Sequence, residues 1–361
     1  EIFEDKVYSL ISLFIIEGIY FYNFTTPEFN VNVCQLPFWA MTVYYFWRAI
    51  NKNQSLDWLL FGIFAALGFL SKYLFIYLLF ALFVYFFINF KKNKKFIISY
   101  SISILISLFI LAPHFNWLIE NEYITILYGL DRTGLSNYNF TDHIINPLVF
   151  ILKQIAILTP VFIMFFILLN KKKVKINFRN KKLLFLLFVN LVPLIMMLAT
   201  AIITGAKIRT MWMTPFYLFS GILIVEIFKK NISLINLKKF YLVFLFFFIL
   251  SPALYLSISI FDDNKRTDYP GKEIARLVQN RWNQNFINEI KIVIGDEWYA
   301  GNLSYHLYSR PVWMNSLEEK ASSIKEDQGI IYIGNPEILK KICPGAFGII
   351  RPVGFCMIGK K

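Results

Sequence analysis

The sequence predicts an α-helical polytopic membrane protein with about nine transmembrane helices, followed by a small C-terminal extracytoplasmic α/β domain. Three observations predict this architecture. Apolar runs of about 17 to 22 residues recur along the first 260 positions, and a run of this length crosses the ~30 Å hydrocarbon core of a bilayer. Basic clusters follow alternate apolar runs, and after Phe261 the composition becomes that of an ordinary soluble protein.

Composition and charge agree with a membrane protein and exclude nucleic acid as the partner. Hydrophobic residues make up 57% of the 361 positions, whereas a soluble domain is nearer ~45–50% apolar. The net charge of +14 is compatible with nucleic-acid binding only if the cations share one surface. Because they instead cluster between alternate apolar runs, they indicate membrane topology.

The positive-inside rule orients the chain. The basic clusters are residues 48–52, 91–95, 171–182 and 229–239, and they are predicted to be cytoplasmic. The C-terminal segment then lies outside. The predicted spans are residues 7–23, 34–50, 57–71, 74–90, 97–113, 147–169, 183–204, 211–228 and 239–260.

The apolar stretch 58–90 is too long for one span. Gly68 and the polar pair Ser71 and Lys72 interrupt it in the middle, which predicts a tight turn on the outer side. The alternative is a single long, tilted helix. That helix would invert every later loop and place the basic segment 171–182 outside, against the charge rule.

The chain is divided into a transmembrane domain, residues 1–261, and an extracytoplasmic domain, residues 262–361. In the second domain, residues 272–285 have the pattern of an amphipathic helix, and residues 291–295 and 330–333 that of short buried strands. Further helices are predicted near 302–309 and 336–343. Cys343 and Cys356 lie in this domain, where a disulfide is chemically allowed; two buried thiols are the alternative.

Cations near the outer face are the first functional candidates, because a charge at membrane depth is kept when it is paired, hydrated or useful. Lys72 lies between two spans, and Lys207 and Arg209 lie in a short outer loop before Trp212. Such cations stabilise the negative charge that develops on a phosphate leaving group. The alternatives are a lysine whose ammonium reaches the membrane interface and ordinary contacts with anionic headgroups.

Two outer loops supply the other candidates. The first carries Glu28 among amides that suit sugar binding, Asn30 and Asn32; amides are also common turn and cap residues. The long loop 113–147 carries Asp131, Arg132 and His143. Glu28 or Asp131 could accept a proton from an acceptor hydroxyl. We expect His114 to be structural, no metal-ligand spacing is present, and a divalent cation as cofactor stays open.

Several segments resemble GT-C glycosyltransferases that use polyprenyl-phosphate sugars, in the bacterial branch related to protein mannosyltransferases and the lipid A aminoarabinose transferase. The order of the segments along nearly the whole chain carries the resemblance. They are TPEFNVNV (26–33), LPFWA (36–40), GFLSKY (68–73), APHFNW (112–117), RTMWMTP (209–215), GDEWYAGNLSY (295–305) and RPVW (310–313).

The resemblance implies a fold, a reaction and roles for residues. An acceptor hydroxyl would attack the anomeric carbon and lipid phosphate would leave with inversion, while Lys72, Lys207 and Arg209 bind the donor phosphate. In this family the main catalytic Asp lies in the first external loop. Since this chain begins with Glu and shows no such loop, we expect it to be N-terminally truncated. Glu28 also stands where the branch often has Asp, in a Thr-Pro-Asp pattern.

The sequence therefore favours a glycosyltransferase of the bacterial inner (plasma) membrane that acts on a glycolipid, polysaccharide or protein of the cell envelope. A transporter or flippase of lipid-linked sugars is the alternative, although transporters usually have paired halves with polar residues at the midplane. A non-catalytic scaffold is a third hypothesis.

Overall fold

The structure is a computed structural model that describes residues 2–90, 92–133, 139–170, 177–262, 268–315, 329–350 and 353–361. The chain forms two compact units, Glu1–Ile258 and Ser259–Lys361. Lys91 and residues 171–176, which belong to the predicted cytoplasmic clusters, lie outside the described residues.

Ten α-helices form the first unit. They are α1 (Lys6–Ile16), α2 (Val31–Lys52), α3 (Ser55–Ser71), α4 (Ile76–Phe90), α5 (Lys94–Glu120), α6 (Ile124–Asp131), α7 (Asp142–Leu168), α8 (Lys181–Thr204), α9 (Ser220–Phe228) and α10 (Leu237–Phe261). Short 3₁₀ helices join some of them, at Tyr20–Tyr22, Tyr73–Phe75, Thr210–Tyr217, Lys229–Asn231 and Leu234–Asn236. Each predicted span overlaps one of these helices.

Not all of these helices are membrane spans by length and composition. Among the described residues, five helical segments are long and apolar enough, or six if the bent pair Thr210–Tyr217 and Ser220–Asn231 is one span. The five are Tyr73–Phe90, Lys94–Glu120, Asp142–Leu168, Lys181–Thr204 and Leu234–Phe261. The helices α1 and α3 are shorter. The structure therefore supports five or six of the nine predicted spans.

The first predicted span differs most from the structure. Residues 7–23 were expected to form one helix, but α1 ends at Ile16. Gly18 follows in a tight contact, because a Cβ there would lie 3.0 Å from the backbone nitrogen of Val161 in α7. A close approach of two backbones favours glycine. This contact redirects the chain before it reaches the length of a span.

The predicted break within 58–90 is confirmed. Helix α3 ends at Ser71, Lys72 is extended, and a 3₁₀ turn at Tyr73–Phe75 leads into α4. A Cβ on Gly68 would lie 2.3 Å from the ring of Phe75, so the glycine lets this ring pack against α3. The single long helix of the alternative interpretation is wrong.

One end of the helical unit gathers predicted cytoplasmic cations. Nε of Arg48 lies 2.9 Å from Oδ1 of Asp57, which joins the end of α2 to the start of α3. The neighbouring Trp47 ring lies 4.8 Å, centroid to centroid, from Phe185 in the first turns of α8. There, the Lys182 ammonium donates to a backbone oxygen of the N-terminal segment at 3.2 Å. The cations of alternate loops thus share one end of the unit.

The second unit is an α/β fold, as predicted. Its elements are α11 (Gly271–Asn285), β1 (Ile292–Gly295), α12 (Tyr299–His306), β2 (Val312–Met314), β3 (Ile330–Gly334), α13 (Pro336–Ile342), β4 (Ala346–Ile350) and β5 (Val353–Ile358). The sheet order is β2-β1-β3-β5-β4. Strand β1 is parallel to both β2 and β3, and β5 is antiparallel to β3 and β4. Trp282 of α11 packs into a core with Val293, Ile331 and Phe355.

A disulfide joins Cys343, after α13, to Cys356 in β5. Of the two alternatives, the structure therefore has the bond and not two thiols. Cys34 is a thiol in the first unit. Because disulfides persist in oxidising compartments, this bond agrees with the expected extracytoplasmic location of the unit.

Replacing Cys343 by Ala should lower the free energy of unfolding of the second unit by about 3 kcal/mol, because the bond limits the conformations of the unfolded chain. Pulse proteolysis of the full chain in increasing urea measures the change. Cys34→Ala is the control and should leave the unfolding midpoint of the second unit unchanged. An unchanged midpoint in Cys343→Ala would contradict a bond in the native protein.

Candidate functional site at one end of the helix bundle

The predicted outer loops meet at the other end of the helical unit. The Tyr73 hydroxyl, in the turn between α3 and α4, lies 2.6 Å from Oγ1 of Thr125 in α6. Nδ1 of His143, in the first turn of α7, lies 2.8 Å from the backbone oxygen of Ile202 near the end of α8. The backbone N–H of Lys207 donates to the loop that follows α6 at 3.0 Å. Segments far apart in sequence thus form one surface.

Lys72 is the central cation of this surface. Its ammonium donates to Oδ1 of Asn32 at 2.5 Å. Asn30 is the N-cap of α2, and its Oδ1 accepts from the backbone N–H of Asn32 at 2.9 Å and from the Asn32 side-chain amide at 2.9 Å. Since the amide nitrogen of Asn32 is engaged in this way, its oxygen is turned toward Lys72. Capping of α2 therefore orients the group that holds the ammonium.

An aromatic ring completes the surroundings of the ammonium. Nζ of Lys72 lies 4.9 Å from the ring centroid of Trp212, a cation–π distance. The Gln35 side-chain amide is fully buried in α2 and donates to the backbone oxygen of Lys72 at 3.1 Å, which fixes the turn. Burial lowers the pKa of Lys72 to about 7.

Lys72 has no carboxylate within ion-pair distance among the described residues. An amide oxygen and an indole face are neutral partners, so the positive charge is only partly compensated. A desolvated cation without a counterion is costly. An anion that entered this place would therefore recover favourable electrostatic energy.

A second polar group lies beside Lys72 and was missed by sequence reasoning. The Tyr73 hydroxyl bridges Oγ1 of Thr125 and Nε2 of His114, the latter at 2.8 Å. The His114 ring also stacks on Trp117 at 5.9 Å between centroids. We expected His114 to be structural, and these contacts join α5 and α6 to the turn after α3. The only sequence signal was the position of His114 in the segment APHFNW.

The cations Lys207 and Arg209 lie on the segment that leaves α8. Gly205 ends this helix with a left-handed φ of +69°, and a Cβ there would lie 3.3 Å from the His143 ring. After it, Ala206 and Ile208 are buried while Lys207 and Arg209 are exposed. Alternation of this kind places both cations on one side of an extended segment. No carboxylate pairs with either among the described residues.

Backbone geometry links this segment to Lys72. The backbone N–H of Trp212 donates to the carbonyl of Arg209 at 3.0 Å, and the same Trp212 supplies the ring over Lys72. The structure thus brings Lys72, Asn30, Asn32 and Trp212 together, and it places Lys207 and Arg209 on the adjoining segment.

The remaining predicted residues have other surroundings among the described residues. Glu28 is exposed in the loop before α2, and Asp131 is exposed at the end of α6. The guanidinium Nε of Arg132 donates to the Tyr128 hydroxyl at 2.9 Å. His143 is held by the end of α8, as described above. Their roles stay predictions.

Glu17 is a further carboxylate that the sequence did not single out. It caps the end of α1 and is half-buried. The Asn23 side-chain amide donates to its backbone oxygen at 3.2 Å. Sequence reasoning placed Glu17 inside the first predicted span, because the early end of α1 was not apparent. Within the described ranges, no group of three or more His, Cys, Asp or Glu side chains is arranged to hold a metal ion.

Replacing Asn32 by Asp should raise the pKa of Lys72 well above about 7, because a carboxylate beside the ammonium favours its charged form. The pH dependence of amine labelling at Lys72, followed by mass spectrometry, measures this change. Asn51→Asp, which adds a carboxylate at the other end of α2, is the control. The same titration of Lys72 in all three proteins would show that Asn32 does not contact the ammonium.

Comparison with known families bears on the first third of the chain. Residues 1–117 match the family model described as dolichyl-phosphate-mannose-protein mannosyltransferase. The match includes Asn30, Asn32, Lys72 and His114 and ends before Lys207, and it does not distinguish the bacterial branch. No curated protein and no solved structure matches the chain. Over α1 to α5, the chain is therefore similar to this mannosyltransferase family.

Proposed function

We propose that this chain is an integral membrane glycosyltransferase that moves a sugar from a polyprenyl-phosphate donor to a cell-envelope acceptor. One observation carries the proposal: the Lys72 ammonium is held at one end of the bundle by Asn32 and Trp212 without a carboxylate partner among the described residues. The family match over residues 1–117 includes this turn and supports the same reaction class.

The donor is a lipid, and the helices suit its two parts. Its isoprenoid tail would lie against apolar helix faces such as that of α5, where Leu105 is 64% and Phe109 is 83% exposed. Its phosphate would reach the end of the bundle and meet Lys72. A charge-assisted hydrogen bond between an ammonium and a phosphate oxygen is stronger than a neutral one. The partial burial of Lys72 strengthens it further.

Transfer of the sugar requires a leaving group, a nucleophile and a base. The acceptor hydroxyl attacks the anomeric carbon and forms the new C–O bond while the C–O bond to phosphate breaks. The electron pair stays on the phosphate oxygen, where Lys72 stabilises the charge, and Lys207 and Arg209 add to the positive field. The hydroxyl proton passes to a carboxylate. The resemblance implies an Asp of the first external loop for this role, and Glu28 and Asp131 are the weaker candidates within this chain.

The amides beside Lys72 suit recognition of the donor sugar. Asn30 and Asn32 hold the ammonium through one amide oxygen, and Trp212 presents an indole ring to the same place. Asn32 is buried, whereas Asn30 is partly exposed, so Asn30 is the amide that sugar hydroxyls would contact directly. Arg132 and His143 lie in the surrounding loops and would contact the acceptor.

A transporter or flippase of lipid-linked sugars is the competing function. Transporters of this kind bind substrate near the bilayer midplane. Two buried neutral amides, Gln154 and Asn190, lie at mid-helix positions of α7 and α8. Each makes one hydrogen bond to the protein, and its other polar atom has no partner in the described part of the chain. Apart from the exposed Lys153 in the middle of α7, the described cations of the first unit lie at helix ends or between helices. A transporter would move the lipid-linked sugar without cleaving it, so product analysis separates the two functions.

The full-length protein, reconstituted with polyprenyl-phosphate sugars, should release polyprenyl phosphate. Lys207→Ala and Arg209→Ala should each slow release at least about tenfold, which corresponds to about 1.4 kcal/mol of lost transition-state stabilisation. Lys72→Ala should slow it more, because this ammonium lies where the leaving phosphate is bound. Chromatography of the extracted lipids measures release.

Lys239→Ala is the matched control, since this exposed lysine lies near the start of α10, in a cluster predicted to be cytoplasmic, and should leave release unchanged. Equal turnover of the wild type and of all three cation variants would remove these cations from the mechanism. Movement of intact donor across the bilayer without release would favour the flippase.

A further inference from the structure

The second unit contains a cavity of about 600 Å³ between α11 and the end of α12. This size falls within the ~300–1,000 Å³ range of small-molecule sites. The side chains that matter to its chemistry are basic, amide and aromatic: Lys272, Arg276, Gln279, Asn280, His306 and Tyr308. None of these residues takes part in the function proposed above.

Helical spacing creates one wall of the cavity. Lys272, Arg276 and Asn280 follow one another at intervals of four residues along α11, and such positions lie on one face of a helix. The opposite face carries Val278 and Trp282, both fully buried in the core. The fold therefore uses only one side of α11, and the polar side is left to line the cavity.

The other wall comes from α12 and the residue pair that follows it. Gly271, at the start of α11, is in contact with the His306 ring, since a Cβ at this glycine would lie 2.9 Å from the ring. Leu307 is buried and anchors the segment. Tyr308 is 96% exposed, so its ring packs on nothing and stands at the edge of the cavity.

Two permanent cations and one carboxylate line the cavity: Lys272, Arg276 and Glu273. The second unit as a whole is nearly balanced, because residues 259–361 contain 14 Lys and Arg against 12 Asp and Glu. No ion pair involves Lys272 or Arg276 among the described residues. The cavity therefore offers positive charge to a ligand.

We propose that this cavity binds an acidic saccharide. A carboxylate or similar anion on a sugar would pair with Lys272 and Arg276, its hydroxyls would meet the amides of Gln279 and Asn280, and the apolar face of a sugar ring would pack on Tyr308. An anionic lipid headgroup would use the cations but would not need the tyrosine ring. If the function proposed above holds, the saccharide is part of the acceptor. This last step rests on that function.

Binding of tetragalacturonate to the full chain in nanodiscs of neutral phosphatidylcholine tests the proposal. Isothermal titration should show saturable binding without donor lipid, and neutral maltotetraose should bind at least about tenfold more weakly. The double variant Lys272→Ala/Arg276→Ala should weaken tetragalacturonate binding at least about tenfold. Tyr308→Ala should weaken binding of tetragalacturonate but not of inorganic phosphate. Lys340→Ala/Lys341→Ala, on exposed α13 positions, is the control and should bind as the wild type does.

Absence of saturable binding, or equal binding by the Lys272/Arg276 double variant, would overturn the proposal. Equal affinity for inorganic phosphate together with no effect of Tyr308→Ala would show a general anion site instead. Competition by anionic vesicles, together with no effect of Tyr308→Ala on binding, would show a lipid site. Because the titration uses no donor lipid, its result does not depend on the transfer reaction. Saccharide binding without sugar transfer would contradict only the function proposed above.

Discussion

A partly buried ammonium with no carboxylate partner among the described residues is the constraint on which the Lys72 end of the helical unit depends. Lys72 is held by the amide oxygen of Asn32 and the face of Trp212, both of which are neutral. Burial lowers the pKa of this lysine to about 7, so keeping it charged costs free energy. Natural proteins keep such groups where binding or catalysis offsets this free-energy cost. The lipid phosphate that we propose as ligand has the charge that this position lacks.

Three parts of the fold hold the ammonium in place. Gly68 lets Phe75 pack against α3, and this contact closes the turn that carries Lys72. The N-cap of α2 orients Asn32 toward the lysine. The segment after α8 carries the exposed cations Lys207 and Arg209 and then brings Trp212 over the Lys72 ammonium. Each part comes from a different helix, so the site exists only when the helices are packed.

The sequence predicts well what depends on local pattern. The break at Ser71 and Lys72 interrupts an apolar run, and the strands β1 and β3 are short, continuous apolar runs, so both were found. Contacts between distant residues were not predicted. The Lys72–Asn32 and Tyr73–His114 pairs join residues about 40 positions apart, and the early end of α1 depends on the contact of Gly18 with α7. Such pairings depend on how the helices pack, and a single sequence does not show which helices are neighbours.

The most direct measurement is an electron cryo-microscopy map of the full-length protein in nanodiscs with bound polyprenyl phosphate. We expect phosphate density within hydrogen-bond distance of the Lys72 ammonium, beside Asn32 and Trp212, with the isoprenoid chain along the apolar helices. Phosphate density at the opposite end of the bundle, near Arg48 and Lys182, or density that leaves Lys72 without contact, would contradict it.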